Sequence, residues 1–274
     1  MLKDTGRPQQ GVQALETGLE VFEALVSSGQ PMMLKDIASG AGVHPAKAHR
    51  YLVSFIRKGY VARDSAGLYR LGESALRAGL STLSQMDPVR LAAPLMDQLC
   101  AEINESLLAA VWSNFGPTVV LWRDSTRPVS VNIRPGSVMP MLSSATGRVF
   151  TAFIDERASE LLINVEIEEK IRYRDPHFPK SIEDVKQMQA DIRAAGFGTV
   201  TGDMREGINA VSVPVFNHQG KIVLVITALG GERSFDASEN SVPTLAVRRI
   251  AALLSKELGF EFSNISKDEQ QIAI

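Results

Sequence analysis

One short stretch of this sequence carries a concentration of basic side chains. Residues 44–70 hold six Lys or Arg and a single acid, Asp64, whereas the whole chain has 29 Lys and Arg against 31 Asp and Glu. The six bases are Lys47, Arg50, Arg57, Lys58, Arg63 and Arg70. Such a local excess of positive charge favours binding to phosphates, and a basic face that is only solvated is the alternative.

The residues that lead into this stretch match a helix-turn-helix. Two helices that cross closely need a small side chain in the first helix and a glycine of positive φ in the turn, and Ala38 and Gly42 meet these needs. The apolar positions around them are filled by Ile37, Ala41, Val43, Ala48 and Tyr51. The pattern therefore predicts that the helix over His44–Lys58 enters the major groove of DNA.

The outward residues of this helix and of the following hairpin are the predicted DNA contacts. Exclusion of the core-facing positions leaves, in the first half of the helix, His44, Ala46, Lys47, His49 and Arg50. Lys47 and Arg50 are the candidates for base edges, and phosphates are the expected partners of Arg57, Lys58, Arg63 and Arg70. The alternatives are a partly packed His49, a solvated helix end at Arg57 and Lys58, and a winged helix that binds protein.

A second candidate site lies at the start of a helix predicted over residues 145–154. The sequence there is Ser-Ser-Ala-Thr-Gly-Arg, residues 143–148. The unpaired N–H groups and the dipole of a helix N-terminus favour an anion, and the hydroxyls of Ser144 and Thr146 add hydrogen-bonding groups. The alternative is that Ser143 or Ser144 only caps the helix.

The sequence contains no motif that is typical of an enzyme active site and no segment that is typical of a membrane span. It has no Gly-x-Ser-x-Gly elbow, no phosphate-binding glycine loop and no residues with metal-ligand spacing, so neither a cofactor nor a metal is expected. The single cysteine, Cys100, is predicted to be a packed thiol. Because no signal peptide and no apolar run of about 18 residues is found, the cytoplasm is the expected location.

Periodicity and turn residues define the elements that position the basic stretch. Helices are predicted over residues 12–26, 34–39 and 44–58, and two short strands over 60–63 and 68–71 form a wing. The first helix carries one apolar stripe, formed by Val12, Leu15, Leu19, Phe22 and Val26. A linking helix over residues 73–86 has Leu76, Leu80 and Leu83 on one side, available for dimerisation or for packing on its own domain. The domain boundary is placed at Asp87-Pro88.

Strands and helices alternate after this boundary. A helix to Glu102, bent at Pro94, is followed by strands predicted over residues 107–113, 118–123, 129–133, 197–201, 209–216 and 221–229. Further helices are predicted over 145–154, 156–164, 182–195 and 242–258, and Ser181 with Asp184 makes a capping box for the third. The fold class is therefore α+β, an antiparallel sheet with helices packed on it.

Several longer runs of residues resemble one known family. They are ALETGLEVFEAL, LKDIASGAGVHPAKAHRYLVSFIRKGYV, GLYRLG, SATGRVFTAF and AAGFGTVTGDMREGINAVSVPVFNHQGKIVLVITALGG. These runs resemble the IclR-type bacterial transcriptional regulators. The resemblance implies a winged helix-turn-helix, a linker helix and a GAF-like effector domain, in dimers or tetramers that bind operator DNA and respond to metabolites. Ala46 and Lys47 depart from the Ser or Thr usual in the recognition helix of that family.

The resemblance also implies where an effector binds. Carried over residue by residue, the effector positions fall on Ala145, Thr146, Asp203, Ala210, Thr227 and Leu229. The family pattern brings Thr201 and Ser212 to the same cavity as Ser144, with Met139 and Met141 as apolar walls. The alternatives are a solvated Asp203, ordinary strand roles for Ser212 and Thr227, and core or dimer-face roles for Trp112 and Trp122. A hydroxylated monocarboxylate is the expected effector.

These observations predict a sequence-specific transcription factor that responds to an effector. Its expected parts are a DNA-binding domain (9–72), a linker helix (73–87), an effector domain (88–260) and a frayed tail (261–274). The expected partners are double-stranded operator DNA, a small organic acid and further copies of the chain. A ligand-sensing module that does not bind DNA and an enzyme without a recognisable motif are the alternatives.

Overall fold

The computed structural model describes residues 11–127, 131–170, 178–202 and 207–260. These residues form two compact units, and the chain passes from one to the other between Met86 and Asp87. Each unit has its own hydrophobic core. In the part of the chain described, no helix is both long and apolar enough to cross a membrane. The predicted tail lies outside the described residues.

The described part of the first unit combines four helices with a two-stranded hairpin. The helices are α1 (Gln13–Ser28), α2 (Leu34–Gly40), α3 (Pro45–Arg57) and α4 (Glu73–Gln85), and the strands are β1 (Val61–Arg63) and β2 (Tyr69–Leu71). β1 and β2 pair antiparallel, so the hairpin expected as a wing is present. The core contains Val21, Leu25, Ile37, Ala38, Ala48, Leu52, Val61 and Tyr69.

The helix-turn-helix follows from the residues at its crossing. Ala38 is buried between the helices, and Gly42 has a φ of 63°, which glycine adopts without strain. The core-facing residues predicted for α3 all pack inward: Val43, Ala48, Tyr51, Leu52 and Phe55. This packing leaves the opposite face of α3 exposed.

The apolar stripe along α1 lies on the outer side of that helix. The residues that are exposed are Val12, Leu15, Leu19 and Val26, and Phe22 alone of the stripe packs against the core. The buried residues of α1 are Gly18, Val21 and Leu25. α1 therefore has two apolar faces, of which only one is covered within the described residues.

The linking helix, α4, is anchored at its start and apolar along one exposed side. Ser74 Oγ donates a hydrogen bond to the Lys58 carbonyl at the end of α3 (2.9 Å). None of the residues of α4 is buried, and Leu76, Leu80 and Leu83 are 61%, 55% and 36% exposed. Packing on its own domain, the alternative for this stripe, is not seen in the described residues.

The second unit is built on a five-stranded antiparallel sheet. The strands are β3 (Ser106–Ser113), β4 (Gly116–Arg123), β5 (Gly198–Thr201), β6 (Ile208–Phe216) and β7 (Ile222–Gly231), in the order β4-β3-β7-β6-β5. The helices are α5 (Pro88–Ile103), α6 (Ala145–Phe153), α7 (Glu156–Lys170), α8 (Ile182–Ala195) and α9 (Val242–Glu257). This is the α+β architecture that the sequence predicts.

Helices cover both faces of this sheet. β6 is buried without interruption from Asn209 to Val215, and since neighbouring strand residues point to opposite faces, both faces must be covered. α6 packs against β5, β6 and β7, whereas α5 and α9 pack on each other, α5 mainly on β3 and β4 and α9 on β6 and β7. The capping box predicted for Ser181 and Asp184 is formed at the start of α8.

Two predictions for the second unit need correction. Residues 131–133 are not in a strand, and residues 129–130 of the strand predicted there lie outside the described residues. Instead, Val138 bridges to Thr118 of β4. α7 extends to Lys170, six residues beyond the predicted end at Asn164, because no glycine or proline interrupts it.

Candidate DNA interface and effector cavity

The first turn of α3 is held by its own N-terminal residues. Pro45 is the first helical residue, and His44 Nδ1 accepts a hydrogen bond from the Ala46 N–H (3.3 Å). His44 therefore caps the helix while its Nε2 remains available to a partner. The side chain of His49 is exposed.

The basic residues of the interface are exposed on α3, at its end and on the wing. The set consists of Lys47, Arg50, Arg57, Lys58, Arg63 and Arg70. No salt bridge joins any of them to an acid in the described ranges. No acid among the described residues therefore neutralises their charges, and such charges are available to phosphates.

Arg63 differs from the other bases because its side chain lies along the wing. Its Nε donates to the Gly67 carbonyl (3.2 Å), and its guanidinium lies 5.1 Å from the centre of the Tyr69 ring. These contacts hold the arginine in one place and leave its outer N–H groups for a phosphate. Arg70, on the neighbouring strand, makes no such contact within the described chain.

A small cavity lies between the start of α6 and one face of the sheet. Its volume is about 20 Å³. Seven of the predicted effector residues line it: Met139, Ser144, Ala145, Thr146, Ala210, Thr227 and Leu229. Four apolar residues that sequence reasoning missed complete the wall: Leu108, Ile133, Val200 and Ile208.

Three of the other predicted effector residues, Met141, Thr201 and Ser212, do not line this cavity. Met141 packs in a separate apolar cluster with Leu142 and Ile163. Thr201 is exposed and lines a different surface groove, because its neighbour Val200 points into the cavity. Ser212 lies behind the lining, and Asp203 falls outside the described residues.

Three buried hydroxyls form a chain at the polar side of the cavity. Thr227 Oγ1 lies 2.8 Å from Thr146 Oγ1 and 2.6 Å from Ser212 Oγ. All three side chains are at most 2% exposed. Ser212 and Thr227 are partners on the neighbouring strands β6 and β7, and their hydroxyls form a hydrogen bond between these strands.

A carboxylate of the chain itself occupies part of the predicted anion site. Glu166 of α7 accepts hydrogen bonds from the N–H groups of Met141 (2.6 Å), Leu142 (3.1 Å) and Ser143 (3.2 Å). It also accepts one from Ser143 Oγ (3.0 Å). These N–H groups are consequently not open to an external anion.

The N-terminus of α6 retains two N–H groups for a ligand. Ser144 caps the helix, since its Oγ accepts from the Gly147 N–H (2.9 Å), as the capping alternative proposed. Among the described residues, the N–H groups of Ala145 and Thr146 have no acceptor, and both residues line the cavity. Gly147 allows this close packing, because a Cβ there would lie 2.0 Å from the Pro140 carbonyl.

The remaining candidates have structural roles. Cys100 Sγ is half-buried and contacts the carbonyls of Glu105 (3.5 Å) and Asp124 (3.4 Å), and burial raises the pKa of this thiol. Trp112 and Trp122 pack against the core of the second unit. No set of three potential metal ligands occurs in the ranges that the structure describes.

Comparison with known protein families identifies a domain model for each of the two units. Residues 14–65 match the model of the IclR helix-turn-helix domain, and residues 80–256 match that of the IclR C-terminal domain of bacterial transcriptional regulators. The chain belongs to the IclR family. The family expected from the sequence runs is thereby confirmed.

Individual members of the IclR family align along most of the chain. The HTH-type transcriptional regulator KipR of Bacillus subtilis is 24% identical and covers 84% of this chain and 90% of its own length. The crystal structure of Pseudomonas aeruginosa HmgR is 33% identical, with a TM-score of 0.82 over 91% of this chain and 99% of that one. The chain is a transcriptional regulator rather than an enzyme.

An IclR homolog from Microbacterium hydrocarbonoxydans has been solved in complex with 4-hydroxybenzoate. It is 19% identical to this chain and has a TM-score of 0.54, over 90% of this chain and 99% of that one. The likeness shows a shared fold.

Proposed function

We propose that this IclR-family regulator binds operator DNA through α3 and that a small organic carboxylate in the α6 cavity changes its affinity for that DNA. The observation that carries the proposal is the α6 cavity itself. Its walls are apolar, and the residues that line it include Ala145 and Thr146 at the start of α6 and the hydrogen-bonded pair Thr146 and Thr227. Such a site suits one negative group on a partly hydrophobic molecule.

The DNA contacts follow from the exposed face of α3 and from the wing. Arg50 and Lys47, in the half of α3 that begins at His44, are proposed to read base edges, and His49 and Ala46 lie beside them. Arg57, Lys58, Arg63 and Arg70 are proposed to bind phosphates, which position the protein without reading sequence. His44 is proposed to contact DNA through Nε2.

Two copies of the chain are proposed to bind one operator. A single winged unit buries too little surface for tight, specific binding. The exposed stripe of α4, and the outer stripe of α1, offer apolar surface for self-association. The operator is then expected to be a pseudo-palindrome with half-sites about 10 base pairs apart or a near multiple. A GAF-like C-terminal domain and tetramers belong to the same proposal.

The size of the cavity makes ligand binding a conformational event. A volume of about 20 Å³ holds roughly one water molecule. An organic acid must therefore expand the cavity, and it then favours the expanded state over the closed one. The 4-hydroxybenzoate bound by the Microbacterium homolog has the chemistry expected here, a hydroxylated monocarboxylate. Asp203 is proposed to accept a hydrogen bond from the ligand hydroxyl.

The proposed DNA contacts are tested with a DNA site that the wild-type protein selects from a library of random sequences. Arg50→Ala is expected to weaken binding by about 1–3 kcal/mol and to relax the base preference. Arg70→Ala is expected to weaken all DNA equally and to lower the salt slope by about one unit per protomer. Wild-type affinity in both variants, measured by gel shift at several salt concentrations, would contradict the proposal. Arg157→Ala, at an exposed arginine of α7 in the second unit, serves as the matched control.

A further inference from the structure

We infer that Ser212, which does not line the cavity, orients the hydroxyl chain so that the cavity presents a hydrogen-bond donor to its ligand. Ser212 is thus a positioning residue that favours acceptor groups such as a carboxylate over cationic ones. The inference rests on the proposed function, since it takes the α6 cavity as the effector site.

The three linked hydroxyls have more protons than there are contacts between them. Thr146, Thr227 and Ser212 each carry one hydroxyl proton, and two O···O contacts join them. Two of the three protons lie in these contacts. One hydroxyl must therefore direct its proton elsewhere.

The surroundings of Ser212 decide which hydroxyl this is. Its side chain is fully buried, and within the described residues Thr227 Oγ1 is its one hydrogen-bonding partner. If Thr227 donated to Ser212, the Ser212 proton would be buried without an acceptor, which costs free energy. A proton left on Thr146 or Thr227 instead lies on a residue that borders the cavity, where a ligand or a water molecule can accept it, so Ser212 donates to Thr227 Oγ1.

The remaining proton must then belong to Thr146 or Thr227. Both residues line the cavity, so in either arrangement a hydroxyl proton becomes available to a ligand that expands the cavity. The N–H groups of Ala145 and Thr146 at the start of α6 add two more donors. A carboxylate satisfies all of these donors, whereas an ammonium group would bring further donors to them.

Ser212 also strengthens the donor that reaches the ligand. A hydroxyl that accepts one hydrogen bond becomes a better donor in the next, so the bond from Ser212 polarises Thr227. Ser212→Ala is expected to lower affinity for 4-hydroxybenzoate by about three- to tenfold, the range of one neutral hydrogen bond. The loss should be smaller for the neutral 4-hydroxybenzamide, because a weaker acceptor gains less from a polarised donor.

A double-mutant cycle separates this role from a structural one. If Ser212 acts through Thr227, then Ser212→Ala costs no further affinity for 4-hydroxybenzoate in the Thr227→Val background. A purely structural residue would lower affinity equally in both backgrounds. Equal affinity of wild type and Ser212→Ala for 4-hydroxybenzoate in calorimetry, or additive losses in the cycle, would overturn the inference.

A second measurement does not depend on any ligand. Neutron diffraction from crystals of the deuterium-exchanged full chain locates the hydroxyl deuterons directly. A Ser212 deuteron on the line to Thr227 Oγ1 supports the inference, and a Thr227 deuteron directed at Ser212 Oγ overturns it. If no carboxylate binds the wild type, the proposed effector class is wrong. The neutron result still decides in which direction the three hydroxyls of Thr146, Thr227 and Ser212 donate.

Discussion

Glu166 holds the segment before α6 with one buried carboxylate, and this contact can be tested by a change of a single group. Glu166→Gln keeps the size of the side chain but replaces an acceptor by an NH₂ group that faces main-chain N–H donors. The variant is expected to lower the free energy of unfolding by about 2–4 kcal/mol, because charged hydrogen bonds are lost and buried N–H groups are left unpaired. Urea denaturation measures this change.

Glu160→Gln is the matched control, since Glu160 lies on the same helix and is exposed. Its midpoint of unfolding should stay close to that of the wild type. If both variants unfolded at the wild-type midpoint, the segment before α6 would not depend on the Glu166 carboxylate.

Glu105 predicts a pH dependence of stability. Its side chain is 3% exposed, and burial raises its pKa while Arg127 acts in the opposite direction. Because the folded pKa lies above the unfolded one, the contribution of Glu105 to stability is present at low pH and is lost as pH rises through the folded pKa. The unfolding free energy of the wild type relative to Glu105→Gln should therefore fall as pH rises from about 4 to 7. Parallel pH profiles in denaturation experiments would contradict this.

Residue types at the start of α6 were sufficient to predict part of the lining of the α6 cavity. Ser144 and Thr146 stand where a helix N-terminus needs hydroxyls, and both line the cavity. Glu166 could not be found in this way, since its hydrogen bonds join residues 23 to 25 positions apart and no local pattern connects them. Ser212 lies two residues after Ala210 on β6 and therefore points to the same face of the sheet. Only the packing shows that Thr227 lines the cavity and that Ser212 does not.

The helices show where periodicity succeeds and where it is ambiguous. The bounds of α8 follow from its capping box, and the crossing of α2 and α3 follows from Ala38 and Gly42. In α1, by contrast, Gly18, Val21 and Leu25 have helical spacing just as the outer stripe does. Spacing alone cannot show which of two apolar faces with the same helical period is buried, so the residues of α1 that reach the core were not predicted.

The linking helix α4 carries a prediction about assembly. Leu76→Glu combined with Leu80→Glu is expected to weaken self-association, because it places charges on the exposed apolar stripe. The fold of the first unit should persist, since neither side chain is buried. Sedimentation velocity measures the oligomeric state, and circular dichroism checks the fold.

Ala78→Glu with Thr82→Glu is the matched control on the opposite side of α4, where both residues are exposed. Equal self-association of the two double variants would mean that the leucine stripe does not form the contact between copies.

At the scale of the whole molecule, charge is informative only when it is divided along the chain. The net charge of −2 gives no sign of a DNA-binding protein. Residues 1–72, however, contain nine Lys and Arg against six Asp and Glu, and residues 73–274 contain twenty against twenty-five. The positive charge thus belongs to the unit that carries the recognition helix, while the acidic remainder discourages contact between the second unit and the phosphate backbone.

Two ligands bound by one chain must influence each other equally if either influences the other. We expect 4-hydroxybenzoate to change the affinity for the selected DNA site, because the acid favours an expanded cavity of the second unit. The same DNA must then change the affinity for 4-hydroxybenzoate by the same factor, about 5- to 150-fold for a typical coupling. Calorimetry with and without DNA, and gel shifts with and without the acid, give the two factors.

Thr146→Val tests whether this coupling arises in the cavity. The variant removes a hydroxyl that lines the cavity and faces Thr227 across 2.8 Å, so it should bind the acid more weakly by about 1–3 kcal/mol. Its affinity for DNA without the acid should equal that of the wild type, since no residue of the DNA-binding unit changes. A coupling that persists in Thr146→Val at unaltered acid affinity would place the effector site elsewhere, because a ligand shifts an equilibrium only through contacts that differ between its states.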